Sequence, residues 1–287
     1  QGRHHAQSGQ NFNRGWPNVA EAVAETVGGR LGVDGQANTA LVRRALADEL
    51  DRQVAGNEAE GLRLVLMKLA ADADIVLDLH TDAEAELHLY VDPFHWPGAA
   101  DLAGLLGASV VMLCRDSGND PFEETVFRHW WRAHGTAPEA ALELPLTAVV
   151  ELRGEADVSD ELARRDAEAL LRFLAHRGVV AGAVDAPPAF TGIAAALEAT
   201  EIVKAPAGGI VVYKKELGDT VEVGDVIAEI VDPQGDGTAA RTPVPATTEG
   251  RLFTRASQRL AWPGAVLGKV QGSVALPGRV PGKLMYD

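Results

Sequence analysis

Only one cysteine, Cys114, occurs in the 287 residues. A lone thiol excludes an intrachain disulfide and a thiolate-rich zinc knuckle, and it fits a reducing compartment, so a cytoplasmic location is expected. Basic residues are also scarce: 26 Lys+Arg stand against 41 Asp+Glu, a formal net charge of -15. Such a surface has no basic field with which to replace counterions on phosphates, which argues against nucleic-acid or anionic-membrane partners. No run approaches the roughly 18–20 apolar residues of a helical membrane span. The opening, Gln1-Gly-Arg-His-His5, has neither a starting methionine nor the charged-then-apolar pattern of a signal peptide. It reads like the middle of something. No Ser-His-Asp or phosphate-loop signature is present. What is there, 46% hydrophobic and 23% charged residues, is ordinary for a globular chain, and the length suits one large domain or a principal domain with a smaller one attached.

Up to about residue 187 the chain alternates helical and strand patterns. Leu41, Val42, Ala45, Leu46 and Leu50 form a stripe that predicts an amphipathic helix over 36–54. A second helix is expected over 58–71, and a third over 160–176 with Ser159 as its cap and Gly178 as its stop. Asp74–His80, Ala108–Leu113 and Leu146–Leu152 are short apolar, β-branched runs that read as buried strands. Strands alternating with helices predict an α/β fold, a mixed central sheet layered by helices. Catalytic residues in such sheets gather at the carboxyl ends of strands, where His80 and Glu151 lie.

Pro187-Pro188 marks a change, and residues 188–287 are expected to form a separate β-rich domain. Ala205-Pro-Ala-Gly-Gly-Ile-Val-Val and Gly224-Asp-Val-Ile-Ala-Glu-Ile-Val231 are echoed by Ala246-Thr-Thr-Glu-Gly-Arg-Leu-Phe and Gly264-Ala-Val-Leu-Gly-Lys-Val270. The repeat resembles the biotinyl/lipoyl-type barrel-sandwich. A carrier of that type presents a modified lysine on the turn between its halves. Here the turn, 232–242, has none, so a structural or assembly role is expected instead.

Three short segments could carry chemistry. In Asp78-Leu-His80 the acid and the imidazole share a strand face, which suits a zinc ligand steadied by a carboxylate, although taken alone the motif more often marks a hydrogen-bonded strand-end histidine. Asn13-Arg14 pairs an amide with a guanidinium, the best side chain for holding a carboxylate, although both letters also suit a turn. Glu151, in Val149-Val-Glu-Leu-Arg-Gly154, ends an apolar strand, where partial desolvation favours a general base.

In this order, Asn13-Arg14 followed by Trp16-Pro17, then Asp78-Leu-His-Thr81, then Val150-Glu-Leu-Arg-Gly154, the chain resembles the succinylglutamate desuccinylase/aspartoacylase family. That family is a branch of the zinc-carboxypeptidase-like hydrolases, and many members carry a C-terminal barrel-sandwich. The resemblance implies a Zn2+ cofactor with His80 as a ligand and Glu151 as general acid/base. Asn13 and Arg14 would bind the substrate carboxylate or the developing oxyanion, with Arg153 as a weaker anion contact. The implied substrate is a small N-acyl amino acid, hydrolysed by metal-activated water. The chain departs from the pattern in lacking His-x-x-Glu, the family's first two zinc ligands. Two expectations follow: an N-terminal segment with the first strands and those ligands is absent from this sequence, or the protein is a metal-free relative acting in binding or assembly. His4 and His5 read as loop residues, His88 as a packed histidine or a pocket residue, and Cys114 as core. The motifs at 95–97 and 129–131 read as aromatic packing or the contact of a homo-oligomer, and residues 116–121 as a plain connecting loop or one that reaches the pocket rim.

Overall fold

A computed structural model of the chain describes residues 3–118, 120–182 and 185–284. Its helices are α1 (Ala20–Val27), α2 (Gly35–Asp51), α3 (Glu58–Ala71), α4 (Ala100–Leu106), α5 (Phe122–Gly135) and α6 (Asp160–His176). The strands of the first half are β1 (Ile75–Asp82), β2 (Glu84–Ala85), β3 (His88–Val91), β4 (Val110–Leu113), β5 (Leu146–Gly154) and β6 (Ile193–Ala196). They are followed by β7 (Thr200–Lys204), β8 (Gly209–Tyr213), β9 (Thr220–Val221) and β10 (Val226–Val231), then β11 (Arg241–Pro245), β12 (Gly250–Arg255), β13 (Leu260–Ala261) and β14 (Val266–Gln271). The architecture is mixed α/β with several sheets, as expected.

Helix ends follow local chemistry. The Asp34 side chain caps α2 by accepting from the backbone N–H of Gln36 and Ala37, and Asn57 caps α3 through Glu60 N. Ser159 caps α6 through Leu162 N, and Gly178 turns the chain away just beyond at φ 75°.

One five-stranded sheet has the order β1-β5-β3-β4-β6. Its strands β3, β4 and β6 are parallel, with His88 opposite Val110 and Val110 opposite Ile193. The last of these lies beyond Pro188, so the chain adds a strand to this sheet before the later β elements begin. Those form two further sheets, β11-β10-β8-β13 and β2-β12-β14-β7, with β9 paired to β12.

The chain divides into two compact units, Gln1–Asp78 with Arg115–Ala148, and Leu79–Cys114 with Val149–Asp287. The first is helical around one apolar cluster that includes Val23, Leu46, Leu50, Met67 and Trp130. In the second, Val211, Ile227, Ile230, Leu252, Leu267 and Val270 make one core from both of the later sheets, so their alternating apolar positions face a shared interior. A smaller cluster of Val110, Met112, Cys114, Leu197 and Phe253 lies alongside, which makes Cys114 a core residue.

Trp130 is 1% exposed and belongs to the first unit's core, so the packing reading holds for it. Beside it, the buried His129 accepts the Val19 N–H on Nε2 at 3.2 Å. Burial, together with the neighbouring Arg128, holds its pKa down to about 4. An unfolded histidine takes up its proton near pH 6.5, so between those values the unfolded state binds more protons than the native one. The stabilisation is full above about pH 6.5 and is lost as pH falls toward 4. Glu124, pushed up to about 7 by burial, acts in the opposite sense. Urea melts of wild type and His129→Gln compared from pH 7 to pH 4 isolate the histidine. The stability gap between them is expected to narrow on acidification, and a constant gap would refute this.

Candidate functional site

In the first unit, the turn at 11–15 is fixed by its own side chains. Asn11 Oδ1 accepts the Asn13 N–H at 2.9 Å, and Gly15 takes φ 69°. The Asn13 side-chain oxygen Oδ1 accepts from Trp16 Nε1 at 2.8 Å and from Phe122 N at 2.9 Å, while its side-chain amide donates to Asp78 Oδ2 at 3.3 Å. Two donors at the oxygen determine which way the amide points. Asn13 therefore ties the turn to the start of α5. The Arg14 guanidinium donates from Nη1 to the Asn13 carbonyl at 2.5 Å, and its Nε is buried with no hydrogen-bond partner. A residue that the sequence reasoning passed over supports this turn: Arg63, 4% exposed, reaches Asn11 O and Gln10 Oε1, both at 3.3 Å. An arginine on the apolar side of α3 was the available signal.

In the second unit, His80 near the carboxyl end of β1 lies beside Glu151 of β5, its neighbour in the sheet. Nδ1 and Oε1 are 4.0 Å apart, with side chains 33% and 13% exposed. The motif around Glu151 has a steric explanation. A Cβ on Gly154 would lie 2.9 Å from the Ala83 carbonyl oxygen, so glycine permits the close return of the chain after β1. Arg153 adopts φ 73°, an uncommon left-handed backbone for a side chain of this size, and its guanidinium pairs with Asp166 of α6. Its Nε and Nη1 are buried without a partner.

Just past His80, Asp82 Oδ2 receives Lys269 Nζ at 2.8 Å. Burial works to raise the Asp82 carboxyl, but the ammonium outweighs it and holds the group below its ordinary range. Burial pushes the neighbouring Tyr90 hydroxyl up to about 12. His88 is fully buried, packed edge-on against Phe253 and held by a 2.8 Å contact from Nδ1 to Glu86 O. Burial, then Lys269, hold its pKa down to about 4, which agrees with a packed neutral histidine.

Among the described residues no three His, Cys, Asp or Glu side chains converge as a metal site would require. His80 alone represents the expected zinc ligands, and the described residues do not fit a zinc ion by themselves. His4 and His5 lie in the N-terminal loop, where His5 Nδ1 is 2.9 Å from Ser8 Oγ. Asn119, within the loop at 116–121, falls outside the described residues.

The sheet thus presents a His–Glu pair near the carboxyl ends of adjacent strands. No family model and no curated protein matches the chain. Solved structures do, and they are succinylglutamate desuccinylase/aspartoacylase family proteins. One from Shewanella amazonensis SB2B has a TM-score of 0.84 at 23% identity, covering 94% of this chain and 74% of that one. Another, from Shewanella frigidimarina NCIMB 400, has a TM-score of 0.79 at 20% identity, covering 94% and 73%. The ectoine utilization protein EutE (DoeB) of Ruegeria pomeroyi is also similar, with a TM-score of 0.59 at 15% identity, covering 77% and 67%. The chain has the fold of these proteins.

Proposed function

We propose that this chain is a deacylase that hydrolyses the amide bond of a small N-acyl amino acid or a related compound. The observation that carries the reading is the His80–Glu151 pair on adjacent strand ends of a sheet with this family's fold. Glu151 would take a proton from the attacking water and return it to the departing amine. Arg14, with a buried N–H still to satisfy, would hold the substrate carboxylate, and Asn13 would position it. Arg153 has two such N–H groups and is a secondary candidate for an anion contact.

The reading brings with it a zinc-carboxypeptidase-like layout, a β domain at the C-terminus and a cytoplasmic location. No described helix is long and apolar enough to cross a membrane. Zinc is also part of the proposal, with His80 its one ligand candidate among the described residues. The same fact supports a second reading, a metal-free relative that binds such compounds without cleaving them. Elemental analysis of purified protein, beside an amine-release assay on N-acetyl and N-succinyl amino acids, separates them. Amine release is expected. Ligand binding without release would establish the second reading.

A further inference from the structure

The segment between His80 and His88 is held by strands that come far later in the chain. Strand β2 pairs with β12, Ala85 opposite Thr254 and Glu84 opposite Arg255. Arg251 grips the Glu86 carboxylate through two 2.6 Å bonds, and Arg255 and Arg259 both reach Glu84. Those arginine pairs and the β ladder already join the two pieces. A fourth cation at this seam is a different matter, because it is largely buried.

Lys269 of β14 is that cation, with its side chain 19% exposed. A buried ammonium is costly to desolvate, and an apolar side chain of similar length would pack as well. Its surroundings explain it. Nζ contacts Asp82 at 2.8 Å, two residues past His80 on β1. Strand β14 is itself held on both sides, by β12 and β7. The ammonium is therefore presented from a rigid element to the chain two residues past His80.

We infer that Lys269 is a positioning residue of the deacylase site, a fixed positive charge from the late β strands that holds Asp82, and with it the end of β1 that carries His80 beside Glu151. The inference rests on Glu151 being the proton carrier, and it assigns these strands a part in the site rather than attachment alone.

The test uses the full chain with Lys269→Met and Lys269→Ala. In Lys269→Met, kcat is expected to fall about tenfold or more with KM within about threefold of wild type. Adding propylammonium to Lys269→Ala should recover part of the lost kcat, which a purely structural defect would not allow. Amide hydrogen exchange over residues 81–86 supplies a readout independent of turnover, and it should quicken about tenfold in Lys269→Met. Unchanged kcat, or a loss that the amine does not repair, overturns the inference. If wild type releases no amine from any substrate, the functional reading fails on its own. Exchange then decides alone, and unchanged exchange overturns the positioning role. Should Lys269→Met not fold, Lys269→Arg takes its place: it keeps the charge and is expected to retain more than about a third of kcat, and a deeper loss counts against the inference.

Discussion

Glu151→Gln is expected to lower kcat for N-acyl amino acid hydrolysis by roughly 10²–10⁴-fold, the usual loss when a general acid/base is removed. The substitution keeps the side chain's shape and its place on β5, 13% exposed beside His80. It removes the negative charge and with it the ability to accept and return a proton. KM should therefore change little, because binding of the carboxylate is assigned to Arg14 and not to this residue. Arg14→Met is the counterpart: it should raise KM with a much smaller effect on kcat. Steady-state kinetics on both variants, with thermal melts to confirm folding, check the pair of roles. If Glu151→Gln retains full kcat, the enzymatic assignment to this strand end is lost. If both variants lose kcat equally at unchanged KM, the division of labour between them is wrong.

How much of this was readable from the amino acids alone depends on the range of the interaction. Helices α3 and α6 were legible because their signals are local, with Ser159 as the cap and Gly178 as the stop of α6; the Asn57 cap of α3 is an equally local signal that the structure adds. The strands carrying His80 and Glu151 were legible because each is a short β-branched run, though both extend two residues further than expected. The two-residue β2 was not legible. It carries no periodicity and exists because β12, about 170 residues later, offers it a partner, as the Glu84–Arg255 pair shows. Lys269 was invisible for the same reason, since nothing near it in sequence announces Asp82. Asn13 stood out, but only as half of a motif. That its side-chain oxygen holds the N–H of Phe122, 109 positions away, could not be inferred from a dipeptide. Local propensity writes element ends, whereas the site is assembled by contacts whose partners share no pattern.

Arg153 shows the same limit and leads to the largest expected loss of stability. Its pair with Asp166 is buried, the two side chains 13% and 11% exposed. Removing one partner strands the other charge in a poorly solvated place, which costs about 3–5 kcal/mol, so Arg153→Met should lower the melting temperature by roughly 10 °C. Replacing both groups removes the stranded charge, and Arg153→Met with Asp166→Leu should regain most of that loss. The backbone adds a second handle. At φ 73° the residue pays about 1–2 kcal/mol for a left-handed conformation that glycine adopts freely. Placing glycine at 153 in the Asp166→Leu background should thus be at least as stable as placing methionine there. These variants also resolve the anion-contact question, because Arg153 retains two buried N–H groups beyond the pair. With the fold restored in the double variant, a severalfold rise in KM for a carboxylate-bearing substrate would give Arg153 a role in binding. Unchanged KM would confine it to holding α6 against the end of β5. A single Arg153→Met costing no more than about 1 kcal/mol, the range of an exposed pair, would show that the ion pair is solvated and the premise mistaken.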